Sequence, residues 1–98
     1  MSSFRLTAKA LEDFKSIRRH TQKKWGRDQR NTNLAKLNQS FHLLADQPFS
    51  GTASDNIREG YRVYRVGRHL IFYRLASSHI EIIRILHEKM DVQIYLKA

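Results

Sequence analysis

Five histidines, nine carboxylates and eighteen Lys plus Arg hold most of the chemistry this 98-residue chain can offer. His20, His42, His69, His79 and His87 contain no H-x-H pair and no H-E-x-x-H helix, so no metal-ligand spacing is written in them. His69 and His87 both fall in a β-patterned region that could bring them together, where the simpler role for each is a polar strand or turn residue. With no Cys there is no thiolate ligand, no thiol nucleophile and no disulfide framework. Neither a G-x-S-x-G elbow nor a glycine-rich phosphate loop occurs. The expectation is therefore no metal, no cofactor and no covalent catalysis. General acid–base cleavage of RNA needs none of those motifs, only a basic groove with positioned Arg, Lys, His or Tyr side chains. Arg58, Arg62, Arg65, Arg68, Arg74, Arg84, His87, Lys89 and Tyr95 supply the raw material. The same arginines equally suit a solvated sheet face or a surface for an acidic partner, and that simpler reading carries more weight.

The elements that must position these residues follow from hydropathy. Phe4 to Leu6 alternates apolar, polar, apolar and predicts a short edge strand, assigned to residues 3–7. Thr7 can cap a helix over 8–26, with Leu11, Phe14, Ile17, Thr21 and Trp25 along one stripe. Glu12 and Asp13 then fall in the first turns, where negative charge suits the helix dipole. Gly26 is a natural stop, because it tolerates a left-handed backbone. A second helix over 28–47, started by Asp28 or a neighbour, carries Leu34, Leu37, Phe41 and Leu44 at spacings of three and four, and Pro48 ends it. So short a junction requires an antiparallel hairpin.

Residues 48–60 are dense in turn formers and read as a long loop. Strands follow at 61–66, 69–76 and 79–87, joined by tight turns at Gly67-Arg68 and Ser77-Ser78, which makes an antiparallel meander. The adjacent pair Ile82-Ile83 breaks alternation, so either a bulge lies there or the strand is buried on both faces. The tail, 88–98, is expected to hold a short helical turn. The expectation is one domain over 1–98, α+β in class, ordered β-α-α-β-β-β, with a helix hairpin packed on one face of a small antiparallel sheet.

The length fits one domain that buries about 65% of its unfolded surface. A longest strictly apolar run of four residues, Leu70 to Tyr73, gives nothing that spans a membrane as a helix. Residues 1–20 hold no apolar signal region, so a cytoplasmic location is expected. The formal net charge of +9 favours an anionic partner, whether nucleic acid or an acidic protein. The element order matches no helix-turn-helix, zinc-finger or RNA-recognition pattern, although a DNA-binding repressor component stays open as an alternative.

Four segments together carry a resemblance. They are Lys23-Lys24-Trp25-Gly26-Arg27-Asp28-Gln29, Ile57-Arg58-Glu59-Gly60-Tyr61-Arg62, Val66-Gly67-Arg68-His69-Leu70-Ile71-Phe72-Tyr73-Arg74 and Ile83-Arg84-Ile85-Leu86-His87-Glu88-Lys89-Met90-Asp91. In this order and spacing the chain resembles the ParE family of the RelE/ParE superfamily of type II toxin–antitoxin modules, over about residues 4 to 91. The resemblance implies the same β-α-α-β-β-β fold. It implies a bacterial growth-arresting toxin, not an enzyme, that inhibits DNA gyrase and stabilises the plasmid or chromosome encoding it. It also implies a ParD-like antitoxin whose C-terminal segment wraps the toxin and whose N-terminal part binds operator DNA, within a hetero-oligomeric complex.

The acidic tail of such a partner would lie between hairpin and sheet, against Arg18, Arg19, Lys23, Trp25, Arg58, Arg62 and Arg84. The gyrase-facing, toxic surface is placed at Arg68, His69, His87, Lys89, Met90, Asp91 and Tyr95. The superfamily also holds ribosome-dependent mRNA endoribonucleases resembling RelE, the main alternative. Those carry an Arg where this chain has Leu70 beside His69, so the match is partial. If the chain were a ribonuclease, Arg62, Arg65, His87, Lys89 and Tyr95 would be its catalytic set.

Overall fold

A computed structural model describes residues 3–97. Ala98, the last residue of the expected tail, lies outside the described residues. The elements run β1 (Phe4–Leu6), α1 (Ala8–Trp25), α2 (Arg27–Asp46), β2 (Thr52–Ala53), β3 (Tyr61–Val66), β4 (His69–Leu75), β5 (Ile80–His87) and α3 (Val92–Lys97).

Thr7 caps α1 as its type predicts, its Oγ1 accepting from the Ala10 N–H at 3.1 Å. Gly26 alone joins the two helices. Its N–H donates to the Gln22 carbonyl, and its own carbonyl accepts from the Arg30 N–H. Its φ of 91° and ψ of 177° are open to glycine and strained for any other residue. The α2 stripe buries Leu37, Phe41 and Leu44, and Phe41 meets the rings of Phe4 and Phe14 at 5.4 and 6.1 Å. The α1 stripe behaves differently. Phe14, Ile17 and Thr21 turn inward, but Leu11 is exposed and Trp25 is 65% exposed. Trp25 therefore does not continue the buried stripe, because the last turn of α1 stands off the sheet.

The hairpin covers one face of a five-stranded sheet ordered β1-β5-β4-β3-β2. This is the expected α+β class and element order, with two additions. β1 pairs parallel to β5, Phe4 opposite Ile80, so the sheet is mixed. The chain between them, which includes the helix hairpin, supplies the long connection that parallel pairing requires. The expected loop at 48–60 also contains β2, which pairs antiparallel with β3. That loop is strapped down from the sheet. The buried Tyr73 hydroxyl donates to the Pro48 carbonyl at 2.7 Å and accepts from the Gly51 N–H at 3.0 Å. Arg62 donates to the Gly51 carbonyl at 2.5 Å. A Cβ at Gly51 would sit 2.5 Å from Tyr73 Oη and 2.7 Å from the Val63 carbonyl oxygen, which explains the glycine.

Between β4 and β5 the register shifts by one, at Phe72/Tyr73, leaving Ile83 as the extra residue. The Ile82-Ile83 irregularity is thus a bulge, and it resolves which hydrophobics face which way. Ile80, Ile82 and Ile85 join the helix-side core, whereas Ile83 and Leu86 join a second cluster with Tyr61, Phe72 and Leu96 of α3. Beyond Leu6, side chains of α1 cover the β5 edge that β1 no longer pairs. Thr7 Oγ1 donates to the Ile83 carbonyl at 2.8 Å, and Asp13 Oδ2 accepts from the Ile85 N–H at 3.0 Å.

Candidate functional site

The bulge decides what sits at the far end of the sheet. Near the Ser77-Ser78 turn, Leu75 pairs with Ile80 and Tyr73 with Ile82; past the extra residue, His69 pairs with His87. In the unshifted register His69 would have faced Leu86, whose side chain belongs to the opposite face. The two imidazoles instead stand together on the helix face, edge to face with centroids 5.6 Å apart. This brings together the pair that sequence placed in the meander without fixing its register.

Both rings open onto a cleft of about 850 Å³ between the end of the helix hairpin, the β3–β4 turn and the end of β5. Its floor is apolar, made by Ile17, Leu37, Val66, Ile85 and Met90. Its walls carry Trp25, Lys24, Lys36, Arg68 and a third imidazole, His20. Asp13 is the only carboxylate among the described residues that line it, and it is already engaged. Arg84 grips Asp13 through Nε at 2.7 Å and through a second guanidinium nitrogen at 2.9 Å, with both side chains 14% exposed. That pairing raises the Arg84 pKa, chiefly through the hydrogen bond to Asp13. His69 moves the other way. Burial lowers its pKa from the ordinary 6.5, the neighbouring His87 lowers it further, Glu88 opposes the shift, and His20 adds to it. The His87 tautomer is set by its own turn: the Lys89 N–H donates to Nδ1 at 3.1 Å, so the neutral ring carries its proton on Nε2.

Among the expected toxic-surface residues, Arg68, His69, His87 and Met90 line this cleft. Lys89 is exposed in the following turn. Asp91 caps α3, its carboxylate accepting from the Gln93 N–H at 2.9 Å. Tyr95 lies on α3 with the Arg84 guanidinium 5.7 Å from its ring centroid. Among the expected antitoxin contacts, Arg18, Arg19 and Lys23 are exposed on α1 with no ion pair among the described residues, Arg58 is exposed in the loop, and Trp25 overhangs the cleft. Two others are occupied within the chain. Arg84 is held by Asp13, and Arg62 is held by the loop carbonyls and the Phe49 ring, 5.1 Å from its guanidinium.

The residues named for ribonuclease chemistry do not share one face, although Arg65 reaches Glu88, the neighbour of His87 and Lys89. Strand alternation puts Arg62 on the helix side and Arg65 on the other, where it pairs with Glu88. His87 is in the cleft, and Tyr95 is on α3 against Arg84.

Sequence reasoning gave Asp13 a helix-dipole role, whereas it lies beyond the first turn of α1 and holds Arg84, and it did not place His20, Lys24 or Lys36 in the cleft wall. A signal existed for the α1 residues. Asp13, Ser16, Ile17, His20, Thr21 and Lys24 recur at spacings of three and four, the mark of one helix face. Among the described residues no group of three His, Cys, Asp or Glu is placed to hold a metal ion, and no helix is long and apolar enough to cross a membrane.

Comparison with known proteins adds four findings. The family model described as ParE toxin of type II toxin-antitoxin system, parDE, matches residues 4–92. The chain is 32% identical over 96 residues to Toxin ParE1 of Caulobacter vibrioides, covering 98% of this chain and 99% of that one. It is 36% identical over 92 residues to Toxin ParE1 of Mycobacterium tuberculosis, covering 93% and 94% respectively. A solved structure titled as the chromosomal ParDE TA system from P. aeruginosa superposes with a TM-score of 0.76 over 89% of this chain and 96% of that one; at 21% identity this is a likeness of fold.

Proposed function

The chain belongs to the ParE toxin family of type II toxin–antitoxin systems, and from that premise we propose that it arrests growth by binding DNA gyrase and trapping it on DNA. A ParD-like antitoxin with an acidic C-terminal segment neutralises it, and operator DNA is bound only through that antitoxin, in a hetero-oligomeric cytoplasmic complex. One observation carries this reading. The cleft joins Arg68, His69, His87 and Met90 of the expected toxic surface to Trp25 of the expected antitoxin surface. A polypeptide seated there covers the toxic residues, so neutralisation is occlusion.

The chemistry of the cleft supports a protein occupant. Its apolar floor suits Leu, Ile or Met side chains, which nucleic acid does not offer, and its walls suit carboxylates. The unpaired Arg18, Arg19 and Lys23 continue the basic surface along α1. The separation of Arg62 and Tyr95 from His87, and of Arg65 onto the other sheet face, weighs against an RNA-cleaving centre. The test pairs two assays on the purified chain. Loss of gyrase supercoiling with mRNA left whole on ribosomes is the expected result. Ribosome-dependent cleavage with supercoiling intact would overturn it. Operator binding should appear only when the product of the adjacent reading frame is added.

A further inference from the structure

We propose that His69, His87 and Arg68 form a proton-linked receptor for one carboxylate of the acidic antitoxin segment, with His69 taking up a proton as that carboxylate enters. This deepens the toxin–antitoxin reading and rests on it for the source of the carboxylate.

The cross-strand pair puts two imidazoles 5.6 Å apart at the mouth of a largely apolar cleft. His87 enters as a ready donor, because the Lys89 N–H occupies its Nδ1 and leaves the proton on Nε2. His69 is the ring whose charge is free to change. It is half-buried, and the charges that act on it are His87 from β5, Glu88 from the turn after β5 and His20 from α1. Lys24 from α1, Lys36 from α2 and Arg68 from the preceding turn line the same cleft. Two carboxylates are near, and each has a cation already. Asp13 is gripped by Arg84, and Glu88 pairs with Arg65. Burial first, and then the neighbouring His87 and His20, disfavour a charged His69 while the cleft is empty, and among the described residues that line the cleft no carboxylate is left unengaged to offset them.

An entering carboxylate reverses this balance. It accepts from His87 Nε2–H and from the Arg68 guanidinium, and its charge favours the imidazolium form of His69. One proton then moves from solvent to His69 and is held by the new ion pair. The sign follows directly. His69 titrates lower in the free chain than in the complex, so affinity is greatest below the free value and falls as pH rises through the bound value. A phosphate of nucleic acid could meet the same three groups, but it has nothing to place on Ile17, Leu37, Val66, Ile85 and Met90.

The first measurement needs no partner and no variant. The His Cε1–H resonances of the full chain are followed against pH in glutarate, in inorganic phosphate, and in chloride at matched ionic strength. Glutarate should raise the His69 midpoint by about half a unit or more and leave the remote His79 unmoved; no selective movement of His69 overturns the receptor. The second measures affinity for the purified antitoxin at pH 6 and pH 8. The native chain should bind about tenfold more tightly at pH 6, and His69→Gln should remove that dependence while still binding. An equal pH slope in His69→Gln overturns the proton linkage. Movement of His69 by a single-stranded oligonucleotide, with no His69-linked slope toward the antitoxin, overturns the occupant. Absence of antitoxin binding at either pH would defeat the toxin–antitoxin reading itself, while the glutarate titration still decides the receptor.

Discussion

Removing Asp13 should unfasten the first helix from the last strand. The carboxylate holds three donors at once, two from Arg84 at 2.7 and 2.9 Å and the Ile85 N–H at 3.0 Å. Asp13→Ala leaves a guanidinium only 14% exposed, with the Tyr95 carbonyl at 3.3 Å as its one remaining hydrogen-bond partner among the described residues and the Tyr95 ring beside it. Orphaning a fully buried charge costs about 3–5 kcal/mol, and the residual partner and partial exposure place this site near the lower end, about 3. The stranded Ile85 N–H adds about 1 kcal/mol. The total of about 4 kcal/mol is a large share of the about 5–15 that holds a domain together. In urea the midpoint should fall by about 2 M with the slope unchanged. Asp13→Asn keeps an acceptor for Ile85 and should lose about half as much. Arg84→Met in the Asp13→Ala background should recover part of the loss, because no buried charge is then left without a partner. The coupling in that double-mutant cycle should exceed about 1.5 kcal/mol. The reasoning fails if Asp13→Ala costs under about 1 kcal/mol and its effect adds independently to that of Arg84→Met.

Three further outcomes follow. Gly26→Ala should destabilise by about 1–2 kcal/mol in denaturant titration, because φ of 91° with ψ of 177° is strained for any side chain, although nothing lies within 4 Å of the added methyl. Trp25→Ala should leave stability within about 0.5 kcal/mol, since the ring is 65% exposed, yet weaken antitoxin binding at least about tenfold by calorimetry. The lowered His69 pKa makes folding prefer the neutral ring, so its contribution to stability is complete above the ordinary value of 6.5 and is lost as pH falls below it toward the folded value. Melting temperatures between pH 7.5 and pH 5.5 should therefore fall less in His69→Gln than in the native chain.

The α2 stripe of Leu34, Leu37, Phe41 and Leu44 was legible because burial on one helix face leaves a period near 3.6, and an irregularity at Ile82-Ile83 was legible because it breaks a period of two, though sequence left a bulge and burial on both faces equally open. β2 was not, since Thr52-Ala53 is a two-residue exposed strand in a segment of turn formers, and its place is set by Tyr73 and Arg62 reaching across the sheet. Trp25 has the spacing of a core residue, and only the point where α1 leaves the sheet decides otherwise. The site divides the same way. That His69 and His87 belong to neighbouring strands could be read from the meander, but their meeting depends on a one-residue register shift. Asp13 and Arg84 are 71 positions apart, and no local pattern pairs one acid among nine with one of eighteen cations.

The parallel pairing of β1 with β5 also sets the moment at which the molecule comes into being. Phe4 finds its neighbour only when Ile80 exists, and Thr7 and Asp13 wait for Ile83, Ile85 and Arg84. The hairpin can form early from local contacts, but the sheet it must cover closes only after the last strand has left the ribosome. An interrupted message therefore yields no cleft. The cleft is completed in one late step, with the last strand.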